Sequence, residues 1–269
     1  MKRILTSLAL IASAVSCSTK DQSKALVLYY SQTGATQVVA EEIAKQIGAD
    51  IERIDITQPY NGTYDETIQR CNEERANGTL PELVPLKSKL SEYDVIFIGY
   101  PIWYGTCALP MISLLETVDA GEKTIVPFCT FGSGGLESSY IDIKKNWPDA
   151  NIKDGFGIRN ARISKAAKEV EHFLIAGGYK EGEVENIPEF PEQQEVGDEE
   201  IAIFNAACSS YPMPLGSPVS FASRETSDGT EFLYTAVSQG RDGNKSYSKV
   251  YVVVGNEEGS VPEFTKVIR

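Results

Sequence analysis

One short stretch near the N-terminus constrains the fold more than any other feature of the sequence. An apolar run over residues 26–30 leads directly into a small turn, residues 31–36, which is rich in hydroxyl groups and contains Gly34. A helical stripe of apolar residues follows and ends at Gly48. A strand, a tight loop and a helix N-terminus in this order form an anion site, because the first N–H groups have no internal partner. The turn contains no lysine, so the pattern predicts a terminal phosphate held by neutral donors.

The sequence of this turn resembles the phosphate loop of the flavodoxin family, [TS]-x-T-G-x-T, at every fixed position. The resemblance implies that the cofactor is FMN and that its phosphate is bound by Ser31, Gln32, Thr33, Gly34, Ala35 and Thr36. These six residues are also compatible with an ordinary strand–helix turn capped by a threonine. The rest of the chain has to decide between the two interpretations.

Strand and helix patterns alternate between residues 24 and 175. The predicted strands are 24–30, 50–56, 94–99, 123–129 and 152–158. This alternation favours a doubly wound parallel sheet. Together with the resemblance to flavodoxins, which implies the strand order 2-1-3-4-5, the expected fold class is α/β, a flavodoxin-like five-stranded sheet with a small C-terminal α+β domain. Ligands bind such sheets outside the carboxyl ends of the strands.

Two further loops follow strands three and four at that same edge. With the hydroxyl-rich turn at residues 31–36 as the first loop, the second loop presents two large aromatic side chains within Pro101, Ile102, Trp103, Tyr104 and Gly105. The third loop exposes backbone groups within Thr130, Phe131, Gly132 and Gly135. A flat flavin ring needs an aromatic or apolar face and backbone partners for its polar edge, so three converging loops predict a flavin site. Hydrophobic packing beneath a loop is the alternative explanation for Trp103 and Tyr104.

The second loop also resembles the signature P-[IVL]-W-[WY]-G of a flavodoxin-like subgroup, and the long segment from Pro59 to Arg75 is similar to the same subgroup. The resemblance covers about residues 24–179. It implies two groups of ring contacts, Ile102, Trp103 and Tyr104 on one side and Thr130, Gly132 and Gly135 on the other. Phe131 stands where many flavodoxins have a stacking tyrosine, which leaves the second stacking face open.

The three loops contain no His, Lys, Arg, Asp or Glu, so no catalytic side chain is predicted in them. The chain has a single histidine, His172, which we interpret as structural, and no C-x-x-C pair, so no metal site is expected. The leading hypothesis is an FMN-binding electron-transfer protein that serves redox partner proteins. The alternatives are an NAD(P)H-dependent quinone or small-molecule reductase, and a surface lipoprotein binding module with a degenerate flavin site.

The N-terminus predicts export. Lys2 and Arg3 precede a short apolar run, and the run ends in small residues before Cys17, which is similar to a bacterial lipoprotein box. We expect a signal peptide and tether over residues 1–22 and lipidation at Cys17. The protein would then be anchored to the membrane of the bacterial cell envelope, on the periplasmic or outer surface. Ordinary secretion is the alternative.

The remaining organisation follows from charge and turns. The formal net charge is −13, and residues 181–200 contain nine acidic residues and no Lys or Arg, so nucleic acid is not an expected partner. The predicted domains are 23–180, flavodoxin-like; 181–200, an acidic linker; and 201–269, a helix followed by antiparallel strands. The last domain is faintly similar to a cystatin-like shape, and its partner is unknown. Four cysteines allow three disulfide pairings, and Cys129 is expected to be a buried free thiol.

Overall fold

A computed structural model describes residues 24–240 and 243–269. The predicted signal peptide, tether and lipidation site at Cys17 lie outside the described residues. Within the described part of the chain, no helix combines the length and apolar character that a membrane crossing requires.

The N-terminal half forms a parallel sheet flanked by helices. Its elements in chain order are β1 (Ala25–Tyr29), α1 (Ala35–Ile47), β2 (Asp50–Arg53), α2 (Tyr64–Asn77), β3 (Val95–Trp103), β4 (Thr106–Cys107), α3 (Leu109–Thr117), β5 (Thr124–Phe131), α4 (Leu136–Asn146), β6 (Asn151–Ile152), β7 (Phe156–Arg159) and α5 (Ala166–Ala176). The parallel strands run in the order β2-β1-β3-β5, followed by β6 and β7 side by side along β5. The predicted order 2-1-3-4-5 is therefore confirmed.

The predicted fifth strand, residues 152–158, is two short pieces. Strand β6 pairs with Thr124 and Ile125, and β7 pairs with residues 128–131, so the ladder is interrupted opposite Pro127. Proline has no N–H to donate, which is a physical reason for an interruption there. The sequence pattern of the fifth strand alone does not contain this information.

Both faces of the parallel sheet are covered, which is why its strands are continuously apolar. Alternate residues of β1 point to opposite cores: Leu26 and Leu28 join one with α3, and Val27 joins the other with α1 and α5. All three are completely buried. Among the cysteines at 71, 107, 129 and 208 none forms a disulfide, and Cys129 is fully buried as expected.

Helix α2 lies in the long connection between β2 and β3. Thr63 begins it with a capping box, in which its side chain accepts from the Glu66 N–H at 3.3 Å and its own N–H donates to the Glu66 carboxylate at 2.6 Å. The helix ends at Gly78, which adopts a left-handed conformation. This connection carries Tyr60 and Arg75 to the carboxyl edge of the sheet.

The C-terminal half forms a second, antiparallel sheet with one helix. Its elements are β8 (Gln194–Glu195), α6 (Asp198–Cys208), β9 (Ser217–Thr226), β10 (Gly229–Gln239), β11 (Lys245–Gly255) and β12 (Glu263–Ile268). The strand order is β12-β11-β10-β9-β8. Helix α6 packs on one face through Phe204, which contacts the fully buried Tyr234 ring. The expected separate α+β domain is confirmed, whereas its cystatin-like shape stays a prediction.

The predicted acidic linker, residues 181–200, contributes to this domain. Strand β8 pairs with β9 at Phe221 and Ser220, and α6 begins at Asp198 rather than near residue 201. The Phe190 ring lies 6.2 Å from the Tyr251 ring, and the Arg224 guanidinium lies 4.1 Å from the centre of the Phe190 ring. A run of carboxylates predicts a solvated tether. Strand β8 nevertheless pairs with β9 through backbone groups, and amino-acid composition carries no information about backbone pairing.

Candidate functional site

The first loop is tightly built around its own hydroxyl groups. The Gly34 N–H donates to the Ser31 hydroxyl at 3.1 Å, and Gly34 has a φ of 93°, which side chains rarely adopt. Ser31 and Thr36 are each only 1% exposed, whereas the Thr33 side chain faces solvent. The loop therefore keeps a fixed shape with one hydroxyl at its open side.

Several N–H groups of this loop are free to donate. Within the described part of the chain, the backbone N–H groups of Thr33, Ala35, Thr36 and Gln37 have no hydrogen-bond acceptor. They stand at the N-terminus of α1, where the helix dipole adds positive potential. The Arg53 guanidinium donates to the Ser31 carbonyl at 2.8 Å and adds a positive charge nearby. This cradle fits a phosphate bound by neutral donors.

The second predicted loop is a hairpin. Strand β3 extends through Ile102 and Trp103, which pair with Cys107 and Thr106 of β4. The two-residue turn consists of Tyr104, with a φ of 53°, and Gly105, with a φ of 82°. Two successive positive φ values are typical of a type I′ turn, and tyrosine rarely adopts one. The turn makes Tyr104 project, and 52% of it is exposed.

Trp103 is held by two tyrosines that the loop sequences do not reveal. Its ring meets Tyr30 at 6.0 Å and Tyr60 at 5.3 Å, both edge-to-face. Gln32 connects them, because it accepts from the Tyr30 hydroxyl at 2.6 Å and donates to the Tyr60 carbonyl at 2.7 Å. Burial raises the pKa of Tyr30 and of Tyr60 well above the ordinary value, so both hydroxyls stay protonated donors.

The long connection between β2 and β3 supplies two cations to this side of the site. The Arg75 guanidinium lies 4.7 Å from the centre of the Tyr104 ring. Arg70 lies 4.2 Å from the centre of the Tyr60 ring and binds Glu74 at 2.8 Å. The family resemblance over residues 59–75 was the one sequence signal for this segment. No sequence pattern predicted that Arg70 and Arg75 would contact Tyr60 and Tyr104.

The third loop differs in one respect from expectation. Thr130 is 1% exposed and Phe131 is 4% exposed, so the Phe131 ring lies in the core beneath the loop. It is not positioned as an open stacking face in the crevice. The reason is its place as the last residue of β5, where it pairs with Arg159 of β7. Gly132 is exposed, and Gly135 has a φ of 124°.

Four contacts bring the predicted loops together. The hydroxyl groups of Thr36 and Thr130 lie 2.8 Å apart, which joins the first loop to the third. Gly135 packs so closely on Ile102 that an added Cβ would lie 2.6 Å from its side chain, which joins the third loop to the hairpin. Trp103 meets Tyr30 directly before the first loop. Pro101 pairs in register with Thr130 on the neighbouring strand.

The assembled edge offers a phosphate cradle, an aromatic wall and glycine backbone. Among the described residues, no group of three or more His, Cys, Asp or Glu side chains is arranged to hold a metal ion. His172 lies elsewhere, with its Nδ1 atom 3.8 Å from the Asp228 carboxylate. The arrangement suits a ligand with one phosphate and one flat ring system. The three loops contain no His, Lys, Arg, Asp or Glu side chain.

The N-terminal half of the chain is similar to known proteins. A family model described as Flavodoxin matches residues 24–173. A candidate flavoprotein from Bacteroides eggerthii is 31% identical and superimposes with a TM-score of 0.50, over 57% of this chain and 97% of its own. A flavoprotein in complex with FMN from Lactobacillus acidophilus is 21% identical, with a TM-score of 0.46, over 54% of this chain and 99% of its own.

One curated relative carries an enzyme name. An NAD(P)H dehydrogenase (quinone) from Gluconacetobacter diazotrophicus is 32% identical over 99 residues. The match covers 35% of this chain and 46% of that protein, so the chain spans less than half the length of the relative.

Proposed function

This chain belongs to the flavodoxin family, whose cofactor is FMN, and on that premise we propose that it is an FMN-binding electron-transfer protein. One observation carries the proposal: a neutral phosphate cradle and an aromatic hairpin meet at the carboxyl edge of the sheet, and the loops contain no acid or base. An electron carrier needs a held flavin with an accessible ring edge, whereas enzymatic proton transfer calls for a group within hydrogen-bond reach.

The roles of the residues follow from their surroundings. The free N–H groups of residues 33 and 35–37, with the Thr33 hydroxyl, would hold the phosphate. Trp103 and Tyr104 would flank the ring, and Gly132 and Gly135 would give its polar edge access to the backbone. Bound FMN supplies reversible electron uptake, and the protein supplies binding, orientation and shielding from water.

A flavin titration tests this proposal directly. The purified chain, with riboflavin as the comparison ligand, is expected to quench the fluorescence of added FMN and to become yellow. Tighter binding of FMN than of riboflavin would support the phosphate cradle. A colourless chain that binds neither flavin would reject the electron-carrier proposal and favour a binding module with a degenerate flavin site.

A second candidate function rests on the curated relative. Its name favours an NAD(P)H-dependent quinone reductase on the same fold, although the shared region is under half of that protein. NAD(P)H oxidation by the FMN-loaded chain, with and without a soluble quinone, separates the two. We expect NAD(P)H to be oxidised slowly under both conditions. Rapid quinone-dependent oxidation would support the reductase function and contradict the electron-carrier function.

We further propose that the protein is exported and lipid-anchored in the bacterial cell envelope, where redox partner proteins exchange electrons with it. The support is the charged start, short apolar run and small residues before Cys17. Wild type is expected in the membrane fraction with acyl mass on the cysteine, and Cys17→Ala in the soluble fraction. An unmodified Cys17 in the mature protein would contradict lipidation.

A further inference from the structure

The C-terminal domain contacts the third loop of the candidate flavin site through its last strand. The Val267 N–H of β12 donates to the Ser133 carbonyl at 2.7 Å. The backbones are so close that a Cβ on Gly134 would lie 2.5 Å from the Val267 carbonyl oxygen. Val267 itself is anchored in the C-terminal core and is 6% exposed. The loop therefore touches a strand that belongs to the other domain.

Arg159 joins the two domains at the same place. Its Nε atom donates to the Gly132 carbonyl at 2.8 Å, and its Nη1 atom donates to the Phe264 carbonyl of β12 at 2.7 Å. The guanidinium also lies 4.3 Å from the centre of the Phe264 ring. Burial lowers the pKa of Arg159 from its usual value. One planar guanidinium thus connects the loop to the strand.

Ion pairs surround this backbone contact. Arg162 binds Glu263 of β12 and, at 2.7 Å, Glu169 of α5. Lys165 also binds Glu263, at 2.7 Å, and Lys266 lies 3.3 Å from Glu137 beside the loop. These pairs hold the domains together without touching residues 132–134. They offer a matched control, because Arg162 shares the interface with Arg159 but not the loop.

We propose that the C-terminal domain is a built-in brace for the third loop, in which Arg159 and the Val267 N–H hold residues 132–134 in the shape that receives the flavin ring. The proposal rests on the FMN-binding function proposed above. Arg159 is a positioning residue, since it acts on the ring through the loop. Flavin affinity consequently depends on a domain that lies outside the segment matched by the family model.

The test uses the full chain with Arg159→Lys and, independently, Gly134→Ala, whose added methyl group would push against the Val267 carbonyl. Lysine cannot reproduce the planar fork between two carbonyls. Each variant is expected to bind FMN and riboflavin about tenfold more weakly, by similar factors. For Arg159→Lys this factor corresponds to the loss of roughly one charged hydrogen bond. Arg162→Lys, the control, is expected to stay within about twofold of wild type, because a lysine can still pair with carboxylates.

Two readouts separate a brace from a general loss of stability. In the flavin-free protein, backbone amides of residues 131–136 should exchange hydrogen faster in Arg159→Lys than in Arg162→Lys. The visible absorption of bound FMN should also shift in Arg159→Lys and not in Arg162→Lys. Folded variants with wild-type affinity, spectrum and exchange would overturn the brace. A wild-type chain that binds neither flavin would overturn the proposed function and the brace together, a result distinct from variants that match a flavin-binding wild type.

Discussion

The side-chain hydroxyl groups of Thr36 and Thr130 lie 2.8 Å apart, and each residue is 1% exposed. Thr36 stands in the first turn of α1, and Thr130 lies near the end of β5, 94 residues later. This buried pair fixes the phosphate loop against the third loop. A hydroxyl pair shielded from water is costly to break from one side only.

The pair predicts strong coupling in stability. Thr36→Val or Thr130→Val alone leaves a buried hydroxyl unpaired and should lower the free energy of unfolding by about 1–3 kcal/mol. The double variant should lose clearly less stability than the two single variants together, because it contains no unpaired buried hydroxyl. Urea unfolding of the four chains measures the coupling. Strictly additive losses would mean that the two hydroxyls do not depend on each other.

The exposed Thr33 hydroxyl predicts ligand selectivity. Thr33→Ala removes one neutral donor from the phosphate cradle and should weaken FMN binding by roughly five- to tenfold, about 1 kcal/mol or slightly more. Riboflavin, which has no phosphate, should bind almost as before. Thr79→Ala, at an exposed threonine in the connection after α2, serves as the matched control. Equal losses for both ligands would show that this loop does not hold the phosphate.

The aromatic wall predicts an optical signal. The chain has two tryptophans, of which Trp103 lies at the hairpin and Trp147 is 2% exposed, with its indole N–H donating to the Val118 carbonyl at 2.6 Å. The tryptophan fluorescence of Trp147→Phe comes from Trp103, and that of Trp103→Phe comes from Trp147. FMN at saturation should quench the fluorescence of Trp147→Phe more strongly. Quenching that is the same in both variants would argue against a flavin ring beside Trp103.

The composition of the loops predicts stepwise reduction. Because the three loops contain no His, Lys, Arg, Asp or Glu, their side chains offer no carboxyl, imidazole or ammonium group that could deliver a proton together with the electrons. Anaerobic reduction of the FMN-loaded protein should therefore proceed in two resolved one-electron steps, followed by visible absorption. A single two-electron bleach, together with rapid NAD(P)H-driven quinone reduction, would contradict the carrier.

The free thiols predict a loss of stability at alkaline pH. Burial raises the pKa of the Cys208 thiol from its ordinary value of 9.0 to about 11, so the folded state favours the protonated form. The contribution of this thiol is complete below pH 9.0 and is lost as the pH rises towards about 11. Across this pH window, the midpoint temperature of thermal unfolding should fall less in Cys208→Ala than in wild type. Parallel declines would show that Cys208 is not responsible.

The N-terminal sheet was largely predictable because its signals are local. Apolar strands such as residues 94–99 and the hydroxyl turn 31–36 report burial and an anion site through neighbouring residues in the sequence. The order of the strands and the convergence of the three loops followed from the alternation and from the family resemblance. The pairing of Trp103 with Tyr60 did not follow, because it joins residues on separate segments.

The sequence by itself determined which residues can form buried strands, which turn can cradle a phosphate, and that the three loops contain no acid or base. Only the tertiary structure decided that Phe131 lies in the core, that Tyr30 and Tyr60 hold Trp103, and that β12 meets Ser133. The reason is physical: apolar periodicity is encoded by side chains close in sequence, whereas the domain contact joins backbone N–H and carbonyl groups. Every residue except proline offers both groups, so no residue type marks where they will pair.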